Sequence, residues 1–562
     1  MEVEGKLSPQ STSKEGGEVH RVCDDHEDSK GGGWTTFPFV TATVLGLSVA
    51  AGGWASNLIV FLITKFNVKT ITATQINNII LGTNNLFPIA GAFIADSFFT
   101  SFSVVGTFSF ISLLGMIMLT LIATIHSLRP SPCSIGSLIT CQAPSKFQYS
   151  VLYVALSLAS LGLGGTRFTI ATMGADQFNN PNDQGVFFNW YFLALYVANV
   201  FSFTAIIYIQ DNVGWGLGFG ICCIANGIGL GVFLLGKLLY KQVKPKGSPF
   251  LSIARVLVAA IRKRKISSEA SNYYYGAGVL ADSAPPTKSF RFLNCAALKI
   301  EADKQFEGSY GNPWRLCTVK EVEDLKTLIK IMPLWSTGIF LSTPIGIFSS
   351  LTILQALTMD RHLGPHFKIP AASFLVFNLL ATAISIFIID RIILLKYKNL
   401  TGRTLTPIQR IGIGHIINII SLIGSALIER RRLGVVRAHS LTNQPGSEVP
   451  MSALWLVAPL SVMGIAEAFH FPGQVSLCYQ EFPKPLRSTS TAMISLLIGI
   501  GYYLSTAVTD LVDKTTKWLP DDINQGRLDN MFWMLVVIGV VNFGYFITCA
   551  EFFVYQNQNV GK

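Results

Sequence analysis

MFWMLVVIGVVNFGYFITCA, residues 531–550, runs for twenty residues without one charged side chain. At about 1.5 Å per residue, a helix of that length matches the hydrocarbon core of a bilayer, about 30 Å thick. A soluble core helix would need a polar face. Working outward, eleven further stretches of the same kind fall near 37–63, 71–95, 104–125, 149–175, 186–209, 214–236, 331–359, 369–389, 411–428, 451–479 and 488–509. Six lie before one long polar loop and six after it. The expected fold is an all-α polytopic membrane protein of twelve transmembrane helices in two six-helix bundles.

Composition agrees: 50% of the residues are hydrophobic and only 13% charged, against about 25% charged in a soluble domain. The net charge of +11 does not point to nucleic acid, because of where it sits. Residues 237–330 hold 17 Lys/Arg and 8 Asp/Glu. That surplus of basic residues places the loop, and with it both termini, in the cytoplasm. Arg430, Arg431 and Arg432 run against this bias, since the same topology puts them outside. The expected divisions are a disordered tail over 1–33, a bundle over 34–236, a basic linker over 237–330, a second bundle over 331–555 and a short tail over 556–562. Residues 1–33 lack the apolar core of a secretory signal. Ser/Thr at 8–13 are the kind of residues that are phosphorylated in such tails.

Within the linker, Leu251, Ile253, Val256, Leu257, Ala260 and Ile261 recur at helical spacing beside Arg255, Arg262, Lys263, Arg264 and Lys265. This predicts an amphipathic helix, lying on the inner membrane surface or packed on a bundle. Residues 266–288 read as a flexible connector. The nine cysteines form no metal pattern. Cys133 and Cys141 share a loop expected outside, where a disulfide is chemically permitted. Gly162, Gly164, Gly165, Pro344, Pro472, Gly499 and Gly501 interrupt four spans, as close packing or bending would require.

Only Arg167 and Glu467 are charged within these spans. A charge near the bilayer centre costs about 2.5–3.5 kcal/mol even on an insertion scale, so each should face a cavity or a partner. Arg167 offers a planar fork of donors that suits a small oxyanion or a carboxylate. It is equally a structural cation that pairs with Asp176 or Asp183. Glu467 can take a proton, accept a cationic group, pair with a base or fix the bundle. His470, three residues on, can relay a proton or hydrogen-bond a neighbour, whereas His415 reads as packed. Gln75, Asn77, Asn78, Asn84 and Asn85 are too polar for a lipid-facing helix, so that face of the second span should meet protein or water. There is no HExxH, no GxxxxGK[ST] and no G-x-S-x-G, and no enzyme is expected. No cofactor or metal is expected either. Two similar bundles favour transport over a receptor or sensor.

Several longer segments carry a resemblance. RFLNCAALK (291–299), NPWRLCTVKEVEDLK (312–326), GGTRFTIATMGADQF (164–178), GIAEAFHFPGQ (464–474), LRSTSTAM (486–493) and WLPDDINQGRLDN (518–530) resemble the plant nitrate/peptide transporter family. The opening GGGWTTFPF (31–39) looks most like its nitrate excretion subgroup. The resemblance implies the major facilitator fold, with helices one, four, seven and ten around a central cavity and a rocker-switch cycle. Arg167 falls where the family usually has a cavity lysine, and Glu467 matches its acidic residue in helix ten. A pair between them, made and broken across the bundles, fits that pattern.

Two departures change the expectation. The family's E-x-x-E-R motif in helix one aligns with Val44, Leu47 and Ser48, so its three charged groups are gone. After helix two, Asp96 is kept, but Thr100 and Ser101 replace the usual Gly and basic residue. The expected function is transport of a small inorganic anion, nitrate first, in the plasma membrane and with efflux as one direction. Chloride is the nearest alternative; a proton-coupled organic anion or peptide is the next. The expected contacts are the anion, at Arg167, and the lipid bilayer; Glu467 and His470 are the expected gating or proton-coupling groups.

Overall fold

The computed structural model describes residues 32–97, 99–131, 142–241, 249–264, 273–276, 285–300, 312–444, 447–482 and 490–553. The first rod is two helices, α1 (Phe37–Ala55) and α2 (Leu58–Phe66), broken at Ser56–Asn57. Asn57 uses the break: its amide donates to Gln210 and Asp211 at 3.0 Å each. Next come α3 (Thr70–Ser97) and α4 (Ser101–Thr124). The fourth rod is α5 (Lys146–Arg167) continued by α6 (Thr169–Ala175). The fifth is α7 (Pro181–Phe201), a π turn over Ser202–Ile206 and α8 (Ile207–Asn212). α9 (Trp215–Leu235) closes the first bundle.

The linker region holds α10 (Pro249–Arg262) and α11 (Arg291–Asn294). Val256, Ala259 and Ala260 of α10 are buried with Leu293, Ala296, Ala297, Cys317 and Val322. The amphipathic helix is therefore packed on protein along that face, while Leu257 and Ile261 remain exposed.

The second bundle opens with α12 (Val319–Thr358), 40 residues long. It starts twelve residues before the expected span, because Thr318 and Glu321 form a capping box that nucleates it there. Lys326, wholly buried, ties it to Thr287 and pairs with Glu323 one turn back on the same helix. After β1 (Met359–Asp360) come α13 (Leu375–Ile388), a π turn over Ile389–Ile393 and α14 (Leu394–Thr401). α15 (Pro407–Ala438) is followed by β2 (Val449–Ser452), parallel to β1. α16 (Val457–Glu481), α17 (Ser490–Thr515) and α18 (Leu528–Phe552) complete the chain. α15 extends ten residues past its expected end because Arg432, unlike the exposed Arg430 and Arg431, turns into the protein. Arg432 is fully buried and bonds Glu429 in two places, at 2.7 and 2.8 Å. It also reaches Asn524 at 2.6 Å.

Among the described residues, eleven helical segments are long and apolar enough to cross a membrane. The twelfth rod, α3, is 28 residues long but carries the Asn-rich face expected to meet protein. Asn77, Asn78 and Asn84 are indeed buried. α3 packs on α5 in its own bundle and on α17 of the other.

The bundles are clasped at one end. Thr70 and Lys69 both hold Asp521, at 3.0 and 3.3 Å. Ser350 donates to Asn78 at 2.7 Å, Thr83 meets the Tyr503 hydroxyl at 2.7 Å, and Tyr208 stacks on Phe367. All of these lie between the middle of the helices and the face opposite the linker, here the far face.

Candidate functional site

Arg167 sits at the junction of α5 and α6, where Phe168 separates the two helices. The glycines before it allow α5 to touch its neighbours at backbone distance. A Cβ on Gly165 would fall 2.0 Å from the Phe108 ring. A Cβ on Gly91 of α3 would lie 2.7 Å from the Gly165 Cα. The Arg167 carbonyl accepts from the Tyr191 hydroxyl at 3.1 Å. Arg167 is exposed although it lies deep in the rod, two-thirds of the way from the far face. Tyr191 of its own bundle and Tyr502 of the other flank it closely enough to feel its charge. Neither Asp176 nor Asp183 forms an ion pair with it. An exposed guanidinium in the interior of a bundle lines space that water and solutes can enter, and a buried one without a counter-ion would be untenable.

Glu467 is half-buried on α16 and accepts from the Asn378 amide at 3.3 Å. Thr382, one turn further along α13, donates its hydroxyl to the Asn378 carbonyl at 2.9 Å. Tyr196 and Tyr502 lie within its electrostatic reach. Tyr502 therefore faces both charges. Among the described residues Glu467 and Arg167 do not pair.

His470 does not join Glu467. Its ring turns to α15, edge-on to His415 with centroids 5.1 Å apart. It is wholly buried, and neither ring nitrogen makes a hydrogen bond. His415 is packed as expected, against His470 and Phe546. Val44 and Leu47 of α1 are buried and Ser48 is half-buried. Cys133 and Cys141 lie outside the described residues. Tyr191, Tyr196, Tyr502 and Asn378 were missed in the sequence because hydroxyls and one amide at single positions carry no pattern. Their role is visible only where helices from both bundles meet.

The model of the POT family (PTR2) matches residues 102–526, most of the chain and all of the site. The chain belongs to the POT family. It is 51% identical to NRT1/PTR FAMILY 2.7 of Arabidopsis thaliana over 538 residues, covering 95% of each chain. NRT1/PTR FAMILY 2.6 of the same plant is 50% identical over 536 residues, again 95% of each. NRT1/PTR FAMILY 3.1 is 38% identical, covering 94% of this chain and 92% of its own. This POT chain is thus a plant NRT1/PTR transporter, with the sequence resemblance borne out. Its fold is similar to that of an autoinhibited POT family peptide transporter, with TM-score 0.69 at 16% identity and coverage of 92% and 97%. The POT family transporter PepTSo gives 0.67 at 17% identity, covering 93% and 99%. At those identities the likeness speaks for the architecture alone, and that architecture is a multi-pass membrane fold of the major facilitator type. The POT family is one of membrane transporters, not enzymes.

Proposed function

We propose that this POT transporter carries a small inorganic anion, nitrate first, through a central path between the bundles by alternating access. The observation that carries the reading is Arg167: a permanent cation, exposed in the interior, with no carboxylate paired to it among the described residues. Its planar fork fits two oxygens of a planar oxyanion. Val44, Leu47 and Ser48 leave α1 without a carboxylate on the path, which favours an anion over a cation or a zwitterionic peptide. Tyr191 and Tyr502 bring hydroxyls to the same place, one from each bundle.

Glu467 is the group we assign to gating or proton coupling. Asn378 holds its carboxylate in this state. When the bundles close on the linker side, it comes toward Arg167, and the anion and Glu467 compete for the same cation. His470 acts, on this reading, by setting the packing of α16 against α15. On this reading both termini and the linker are cytoplasmic, so the clasp described above lies on the outer side. The membrane is the plasma membrane. The opening GGGWTTFPF and the lost acids of α1 support placement in the nitrate excretion subgroup, and transport without proton symport then runs outward down the electrical gradient. An anion leaving a cytoplasm at −100 mV gains about 2.3 kcal/mol. Chloride is the second reading, since Arg167 selects charge before shape.

The test is flux in proteoliposomes with potential and pH gradient imposed separately. Nitrate flux driven by potential alone, and resisting chloride, supports the nitrate reading. Flux that needs a pH gradient transfers weight to proton coupling through Glu467. Absence of both nitrate and chloride flux sinks the anion reading.

A further inference from the structure

The far face carries a donor set that the transport path does not use. β1 pairs with β2, which fixes the segment 359–362 beside Glu448. The turn after β1 is held by a bridge between His362 and Lys368 and by the Leu363 amide on the Phe367 carbonyl. Asp360 accepts from the His362 backbone amide at 3.0 Å, and its carboxylate lies 2.7 Å from Nδ1 of the same histidine. One donor atom from each of Asp360, His362 and Glu448 lies within 4.8 Å of the other two.

We propose that Asp360, His362 and Glu448 form a binding site for a divalent transition-metal ion of the zinc class. Around a four-coordinate zinc with bonds of about 2.0–2.2 Å, neighbouring ligand atoms stand about 3.3–3.6 Å apart. Reaching that spacing takes shifts of about 1 Å in three side chains that are 44%, 48% and 45% exposed. Side-chain rotation supplies such shifts while the backbone pairing stays in place. One imidazole and two carboxylates suit zinc, whereas calcium and magnesium take six or more oxygens. The exposure leaves the fourth position to water.

Two cations bear on the site. Lys368 Nζ holds one oxygen of Glu448 at 3.1 Å, so an incoming ion competes with it. Arg361, between the first two ligands, feels both Glu448 and Asp211. The site therefore borders the seam between the bundles on the far side.

The experiment is calorimetric titration of chelator-stripped, full-length protein in nanodiscs with zinc chloride and, separately, calcium chloride. Zinc should bind one site lost at least tenfold in His362→Ala and in Asp360→Asn, and calcium should bind at least a hundredfold more weakly. Lys368→Ala should tighten zinc several-fold, and His366→Ala should leave it unchanged. Zinc binding that is indifferent to His362→Ala overturns the proposal. Equal binding of calcium also overturns it, by showing an ion atmosphere rather than a site.

Discussion

At the residue scale, charge type and shape can be separated at Arg167. Lys keeps the charge but offers a single point instead of a fork. We expect Arg167→Lys to lower nitrate flux about tenfold, close to 1.4 kcal/mol, and Arg167→Ala to abolish it. Both should remain monodisperse in detergent. Equal flux in all three proteins would remove Arg167 from the path. Glu467→Gln keeps the Asn378 contact and removes the titration. Its pH–flux profile should flatten while transport persists. A profile identical to the unsubstituted protein would leave Glu467 a structural group. Both charges were legible in the sequence because a charged residue in an apolar span stands out by its cost. The tyrosines around them were not, since a tyrosine costs little in a span and marks nothing by itself.

At the element scale, the far end of α15 is held by a buried ion pair that hydropathy misread as loop. Arg432 and Glu429, three residues apart on one helix, satisfy each other, and Gln355 and Asn524 complete the set. Arg432→Ala strands a buried carboxylate, and we expect a stability loss of about 3–5 kcal/mol, read as a fall in thermal midpoint. Arg431 behaves differently, lying over the Trp455 ring at 4.2 Å; Arg431→Ala should cost about 1 kcal/mol or less. In the linker, burial pushes the Cys317 thiol up to about 12, with Glu321 adding to the effect. The thiol stays protonated through the ordinary thiol range, so maleimide should not label Cys317 at pH 8 until the protein unfolds. The sign for stability follows. The contribution is whole below the unfolded thiol's pKa, and it is lost as pH rises from there toward 12. The helix α10 was readable from its periodicity, but which surface it would meet was not. Periodicity names an apolar face without naming its partner.

At the scale of the whole molecule, the twelve rods and their division into two sets were legible because hydrophobic length is a property of local sequence. The state of the transporter was not, because it depends on which weak cross-bundle contacts are made. Lys69 and Asp521 are 75% and 57% exposed, so their pair is worth about 0.2–1 kcal/mol. Lys69→Asp should shift the population toward the far-open form by about 1.4–5-fold, and Asp521→Lys on the same chain should restore it. Spin-label distances between the far ends of α3 and α17 would read both. An unchanged distance distribution in the single variant would mean that the remaining clasp contacts, Thr70 to Asp521, Ser350 to Asn78, Thr83 to Tyr503 and Tyr208 on Phe367, suffice without the ion pair.

The two π turns, Ser202–Ile206 and Ile389–Ile393, lie in the rods containing α7 and α13, which meet across the seam. Each π turn holds one residue more than the α turn it replaces. Each is therefore a place where the chain tolerates losing a residue: one deletion there straightens the rod and keeps both flanks in phase. The same deletion one turn away rotates everything beyond it by about 100°. Length variation among relatives, rare inside membrane helices, should gather at these two turns.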